Sequence, residues 1–335
     1  MKKVLFIAGH AVFLLLTALI VFYSWAKEES GCSKLQLVEK PLLCPGTGND
    51  SVLCLMSYNM GYLSGMTNNL AVEPERELFA GNRKKLIKKL ARLKPDLLAL
   101  QEIDYGSRRS FGEDQHDTLA SRFFPYSLKA VNWDKRYVPF PYWPPNVHFG
   151  KILSGQSIMS RWPLEYPQRL VLKEVASSPF YYRALYLDRL LVSVRVKHPA
   201  GDIIVMNIHA EAFDRQTREE QLAGVYRLFT ETRKQVPVLL LGDFNSIPVA
   251  GEKSIRLFLN DPEVGCAALS AENQPFPPTF PSVCPAERID YIFYPKACFE
   301  ELDSGVLTDF GPISDHLPVY ACLKIKLCRE EFHRP

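Results

Sequence analysis

Asp243 and Asn245 sit side by side in the stretch Val238-Leu-Leu-Leu-Gly-Asp-Phe-Asn-Ser246, at the end of an apolar run. A carboxylate next to a carboxamide suits a metal-bound phosphate. The carboxylate takes a hard cation such as Mg2+, and the amide donates to a phosphoryl oxygen without adding negative charge. The same pair equally suits a turn in which Asp and Asn cap the backbone. Repetition weighs against the turn alone, because Asn59, Glu102, Asn207 with His209, Asp290, and Asp315 with His316 also follow or interrupt apolar runs. Each alone has a structural explanation, but strand ends on one edge of a sheet converge in space. Together these residues bring hard oxygen ligands, two imidazoles and several amides, an inventory for metal-assisted hydrolysis of a phosphoester.

The runs that must position these residues read as strands. Four consecutive apolar residues before Gly242 fit a strand buried on both faces, and the glycine lets the backbone turn at its end. Similar runs occupy residues 51–59, 96–102, 155–163, 187–196, 203–208, 288–294 and 317–327, and Pro199-Ala-Gly-Asp202 predicts a hairpin between two of them. Residues 83–94 place Leu86, Ile87, Leu90, Ala91 and Leu93 among lysines and arginines, an amphipathic helix that Pro95 stops. Its basic face is most simply a solvated surface. Residues 217–234 predict another helix, and residues 117–124 a short one. With both helical and hairpin connections and no internal repeat, residues 51–335 predict one mixed α/β domain.

Three segments stand apart from that pattern. Residues 4–26 form an apolar run long enough to cross a bilayer, preceded by Lys2 and Lys3. The lysines favour a cytoplasmic N-terminus, so residues 1–26 read as a signal anchor holding an extracytoplasmic domain to the membrane, or as a signal peptide whose cleavage would release it. Residues 27–50 are polar and contain Pro41, Pro45, Gly46 and Gly48, the composition of a linker. Residues 137–145, Tyr-Val-Pro-Phe-Pro-Tyr-Trp-Pro-Pro, fit neither a helix interior nor a central strand. They read either as an exposed loop that touches lipid or the apolar part of a substrate, or as a loop folded over the core.

Charge excludes little. Leaving out Lys2 and Lys3 reduces the net charge of +3 to 38 Lys and Arg against 37 Asp and Glu, without a strong basic footprint for nucleic acid. Eight cysteines with no CxxC spacing fit disulfides in an oxidising compartment. Cys266 and Cys284 bracket a proline-rich loop and are the preferred pair, whereas Cys54 and Cys322, inside strand-like runs, could equally be buried thiols.

Taken in order, Ser57-Tyr-Asn59, Gln101-Glu102, Gly155-Gln-Ser-Ile-Met-Ser-Arg161, Asn207-Ile-His209, Gly242-Asp-Phe-Asn245, Ile289-Asp-Tyr-Ile292 and Ser314-Asp-His316 resemble the endonuclease/exonuclease/phosphatase superfamily over about residues 51–327. The resemblance implies a DNase I-like four-layer α/β/β/α sandwich of two packed mixed sheets, with the active site at one end. It implies Mg2+, or Mn2+ in its place, held by Glu102 with Asn59 beside it and Asp315 contributing on the metal side. His316 would act as general base on water, oriented by Asp290. Asp243 would position the nucleophile or a metal, and Asn245 would hold the phosphate. His209 and Asn207 would stabilise the phosphoryl oxygens and the leaving group. Gln156 stands where many members have Asn and would be a phosphate contact. Arg189, Arg218 and Gln221 resemble recurrent positions better suited to support than to catalysis. The implied substrate is a phosphodiester, in nucleic acid or in a phospholipid, since the superfamily uses one centre on unlike substrates. A catalytically silent binding module on the same scaffold is the alternative outside enzymes, disfavoured by the completeness of the residue set.

Overall fold

The computed structural model describes residues 2–40, 51–248, 254–269 and 276–326. Helix α1 (Lys2–Ala26) leads into β1 (Leu35–Glu39), β2 (Val52–Asn59), α2 (Arg76–Leu93), β3 (Leu97–Asp104), α3 (Gln115–Phe123), β4 (Tyr126–Val138) and β5 (Gly150–Ser160). The chain continues through β6 (Leu164–Val171), α4 (Phe180–Arg183), β7 (Leu190–Val196), β8 (Ile203–His209), α5 (Arg215–Arg233) and β9 (Val238–Asp243). It closes with α6 (Arg256–Leu259), β10 (Val264–Cys266), β11 (Asp290–Pro295), β12 (Phe299–Val306) and β13 (Val319–Ile325).

The strands form a 7-stranded sheet, β1-β4-β5-β3-β2-β13-β12, and a 6-stranded sheet, β10-β11-β9-β8-β7-β6. Each is mixed: β2 runs parallel to β3 and β8 parallel to β9, while their other pairings are antiparallel. Alternation along a strand sends successive side chains to opposite faces and so builds the layers. Leu53 and Leu55 of β2 meet Leu239 and Leu241 of β9 in the core between the sheets. Met56 and Tyr58 face outward against Leu86 and Leu90 of α2, and Leu240 faces Leu222 and Val225 of α5. The result is the four-layer α/β/β/α sandwich. Asp214 caps α5 by accepting from Thr217 N, and the left-handed Lys94 ends α2 just before Pro95.

The differences from the sequence expectation are local. Within the segment read as a linker, residues 35–39 form β1 and pair with β4, while residues 41–50, with Pro41, Cys44, Pro45, Gly46 and Gly48, lie outside the described residues. Helix α2 begins at Arg76 rather than Arg83. Gly242 serves close approach rather than a turn. It lies inside β9 at φ +143, where a Cβ would fall 2.0 Å from the carbonyl oxygen of Ile208 on β8. The preferred cysteine pair is corrected too: Cys54 and Cys322 form a disulfide, while Cys266 is buried and Cys284 exposed, neither in a disulfide. The register of β2 against β13 sets Cys54 directly opposite Cys322, which no local spacing reveals. Cys328 and Pro275 lie outside the described residues. The aromatic and proline-rich loop divides between both of its readings. Phe140 packs edge-on to Phe149, with ring centroids 5.4 Å apart, while Tyr142 and Trp143 are exposed.

Helix α1 is long and apolar enough to cross a membrane, and none of its most apolar stretch is buried. At ~1.5 Å rise per residue it spans about 37 Å, against ~30 Å for a bilayer's hydrocarbon core. It fits a signal anchor or a signal peptide.

Candidate active site

The parallel pairs β2/β3 and β8/β9 end on the same side of the sandwich, and the register places His209 and Asp290 directly beside Asp243. Glu102 reaches this end by a different route. Strand β3 does not stop there but bulges between Leu100 and Ile103, with Glu102 at φ +48. The bulge sends Gln101 inward, where its Nε2 donates to Asn207 Oδ1 at 2.7 Å, and turns Glu102 outward into the site.

Four carboxylates gather here. Asn59 Nδ2 donates to Glu102 Oε1 at 3.2 Å and to Asp243 Oδ2 at 3.0 Å, and its own oxygen accepts from Gly61 N. Asn59 therefore faces the acids with its nitrogen. Asn68 bridges the other side: its Nδ2 lies 3.2 Å from Glu102 Oε2 and 3.1 Å from Asp315 Oδ2. Asp290 Oδ2 accepts from His316 Nδ1 at 3.0 Å, and His316 Nε2 lies 4.0 Å from Asp243 Oδ2. His209 Nε2 is 3.8 Å from Glu102 Oε1 and 3.7 Å from Asp243 Oδ2.

The electrostatics follow from burial and crowding. Desolvation and the neighbouring Asp290 push Asp243 up to about 7. Burial also raises Asp315, with Glu102 adding to the effect and His316 opposing it. Burial works to raise Glu102 as well, but the His316 ring, the Asn59 amide and the Arg109 guanidinium outweigh it and hold the group below the usual carboxylate range. Burial disfavours a charged His316, yet Asp290 first and then Asp243 and Asp315 raise it well above an ordinary histidine. His209 is the reverse. Burial and the Arg189 guanidinium push it down to about 3, and Arg189 Nη1 lies 2.7 Å from its Nε2. A guanidinium can only donate, so His209 is neutral with its proton on Nδ1, an atom buried without a partner. Of the two rings, His316 therefore carries the charge near neutrality.

These residues fit a hard divalent cation. Donor atoms of Asp243, Asp290 and His316 all lie within 4.8 Å of one another, and Asp290 Oδ1 is buried with no partner. Among the described residues, the polar side-chain partners of the four carboxylates are amides, histidines and the Ser314 hydroxyl rather than lysines or arginines. Backbone also protects the cluster. Gly61, at φ +45, passes so close that a Cβ there would lie 2.8 Å from Asp315 Oδ1.

The remaining expected residues divide. Asn245 N donates to Asp243 Oδ1 at 2.9 Å, and its amide nitrogen donates to Ala210 O at 3.1 Å, which fixes the residue at the rim. Asn207 is buried between the sheets, where its Nδ2 donates to Leu100 O and Ser157 O; Gln156 Nε2 donates to Asn207 O. The hydrogen bonds of these two tie the sheets together rather than joining them to the acids. Arg218 donates to the carbonyls of Glu211 and Ala212, and Gln221 accepts from Glu211 N, so both shape the loop after β8. Sequence reasoning missed Asn68, which stands in a turn with no motif around it. It also missed the contact of Arg189 with His209, for which only the Leu-Asp-Arg-Leu pattern gave a signal.

Solved structures with this fold include an endonuclease/exonuclease/phosphatase from Beutenbergia cavernae (21% identity, TM-score 0.57, covering 82% of this chain and 72% of that one). The human nocturnin catalytic domain with bound sulfate is similar at 18% identity and TM-score 0.55, over 88% of this chain and 97% of that one. A mannosyl-6-phosphatase from Bacteroides thetaiotaomicron matches at 19% identity and TM-score 0.56, over 81% of this chain and 99% of that one. No curated protein matches the sequence. The family model described as Endonuclease/Exonuclease/phosphatase family matches residues 56–316, a span that runs from β2 to His316 and holds every one of the clustered acids and histidines. The chain belongs to that family, whose members are hydrolases acting on phosphoester bonds.

Proposed function

We propose that the chain is a Mg2+-dependent phosphoester hydrolase that cleaves a phosphodiester by in-line attack of water, with Mn2+ able to replace Mg2+. The observation that carries this is the set of four carboxylates around His316, Asp243 and Asp290 buried and Glu102 and Asp315 half-buried, with no lysine or arginine hydrogen-bonded to any of them among the described residues. Glu102 with Asp315 would hold the ion, which supplies positive charge to the phosphoryl oxygens and offsets the carboxylate field, while Asn59, expected as a ligand, instead holds Glu102 and Asp243 in place through its Nδ2. Asp290 fixes the direction of His316 by accepting from Nδ1, and a cation held beside the ring would oppose its charging and so free Nε2 to take the proton of the attacking water. The water oxygen bonds to phosphorus, the P–O bond to the leaving group breaks, and a proton passes to the leaving oxygen. Arg189 keeps His209 neutral and in place beside Glu102 and Asp243. Asn245 at the rim, with Asn207 and Gln156 behind it, supports the phosphate side. A second assignment of the base is favoured by one observation: Asp243, pushed up to about 7, is itself poised to accept a proton near neutrality.

Helix α1 serves as the anchor, with the domain on the extracytoplasmic side. Hydrolysis of bis-p-nitrophenyl phosphate with Mg2+ or with EDTA tests the reading in wild type, Glu102→Ala and His316→Ala. Turnover should need the ion and fall by ~10²-fold or more in each variant, the lower end for loss of a positioned base. Turnover that both substitutions leave intact sinks the assignment of the site.

A further inference from the structure

The foot of α1 does not stand free of the domain. Phe22 and Trp25 lie 5.6 and 6.0 Å from the Tyr137 ring, and Tyr23 stands edge-on to Phe180 at 6.3 Å. Arg136 N donates to Glu28 O, and Ser30 donates from both N and Oγ to the Asp134 carboxylate. The helix is thus fastened to the end of β4 and to the segment 172–189. Those two places carry the most exposed aromatic side chains near it: Tyr142 and Trp143 at 67% and 77%, Phe180 and Tyr181 at 70% and 57%. Exposed Tyr, Trp and Phe collected around the end of a bilayer-length apolar helix match the belt that such residues form at the headgroup level.

The same segment leads inward. Together with the loop after β8 it walls a cleft of about 390 Å3, with Tyr182 and Tyr186 on one side and Phe213, 80% exposed, on the other. Arg189 lies in the cleft wall and donates to His209, so the cleft wall backs onto the candidate catalytic centre. Asp188 links the wall back to the strand that holds α1, its N donating to Asn132 O of β4 at 2.9 Å. The lining mixes Lys173, Arg183 and Arg189 with Glu174, Asp188, Glu211 and Asp214. A nucleic-acid backbone needs an excess of cations, which this lining does not offer.

We propose that this aromatic face sits in the headgroup layer of the bilayer that α1 crosses, and that the substrate is a phosphoester lipid of that membrane, whose headgroup enters the cleft. The substrate half rests on the phosphoesterase reading above; the docking half does not. Two readouts on the full chain keep them apart. In phosphatidylcholine vesicles containing a brominated analogue, the fluorescence that wild type has and Trp143→Phe lacks should lose at least half its intensity. In vesicles of phosphatidylcholine, phosphatidylglycerol and sphingomyelin, replacing Tyr142, Trp143 and Phe180 with Ser should lower the ratio of lipid turnover to bis-p-nitrophenyl phosphate turnover at least tenfold. Unquenched Trp143 overturns the docking whatever the activity. A wild type that cleaves the soluble probe and DNA but no lipid overturns the substrate class and leaves the hydrolase reading standing. Quenched Trp143 in a chain inactive on the soluble probe supports the docking and overturns both the substrate class and the hydrolase reading.

Discussion

Asn68 offers the sharpest perturbation, because one amide group holds two acids of the centre. Its Nδ2 sits 3.2 Å from Glu102 Oε2 and 3.1 and 3.3 Å from the two Asp315 oxygens, while its Oδ1 is buried without a partner. Turning the amide over would set its carbonyl against two carboxylates, so this orientation is the one the site permits. Asn68→Leu keeps the volume and deletes the donor. A hydrogen bond to a charged group contributes ~1.5–3 kcal/mol, and strong ones run at ~2.7–2.9 Å, so the longer distances here point to about 1.5 kcal/mol. That converts to a loss of about tenfold in kcat/KM. The assay is bis-p-nitrophenyl phosphate hydrolysis over a Mg2+ titration. With its pre-set spacing of Glu102 and Asp315 gone, the variant should also need more Mg2+ for half-maximal rate. Unchanged kcat/KM and unchanged Mg2+ dependence would refute the idea that Asn68 spaces these acids.

Other outcomes follow from the same geometry. Gly61→Ala should cost ~1–2 kcal/mol of stability from the left-handed backbone alone and reduce turnover further by displacing Asp315; urea unfolding alongside the rate separates the two effects. His116, between Ser157 Oγ and Ser127 Oγ, is pushed down to about 3 by burial, with Lys129 adding to it. The unfolded chain therefore binds a proton that the folded one refuses. The stability is whole above pH ~6.5 and drains away as pH falls toward 3, at up to ~1.4 kcal/mol per pH unit for this group. His116→Gln should flatten the acid side of a melting-temperature profile, and an unaltered slope would count against the argument. Arg189→Gln removes the guanidinium beside His209, so the His209 pKa should rise from about 3, seen in its imidazole NMR titration, and kcat should fall.

Much of the centre was legible because each of its motifs is a local event. A polar side chain ends, interrupts or directly precedes an apolar run, and that pattern located Asn59, Glu102, His209, Asp243, Asp290 and the Asp315-His316 pair without any knowledge of pairing. What was illegible depends on register between distant segments. The Cys54–Cys322 bridge joins strands 268 residues apart in sequence. Asn68 gains meaning only when its turn is laid beside β3 and the Ser314-Asp-His316 loop. Strand β1 lies in a stretch whose prolines and glycines read as linker, and only its pairing to β4 makes it part of the sheet. The family resemblance makes Asn207 and Gln156 contacts to the phosphate. Alternation turns their side chains into the space between the sheets, where their amides bond to backbone.

The proposed function requires that these acids form a centre for a divalent ion at a phosphoryl group. Mn2+ added to the protein and followed by electron paramagnetic resonance tests it most directly, comparing wild type with Glu102→Gln. Wild type should hold the ion, and the variant, equally folded, should leave it free in solution at the same concentrations. Equal binding by both chains, or by neither, would contradict it.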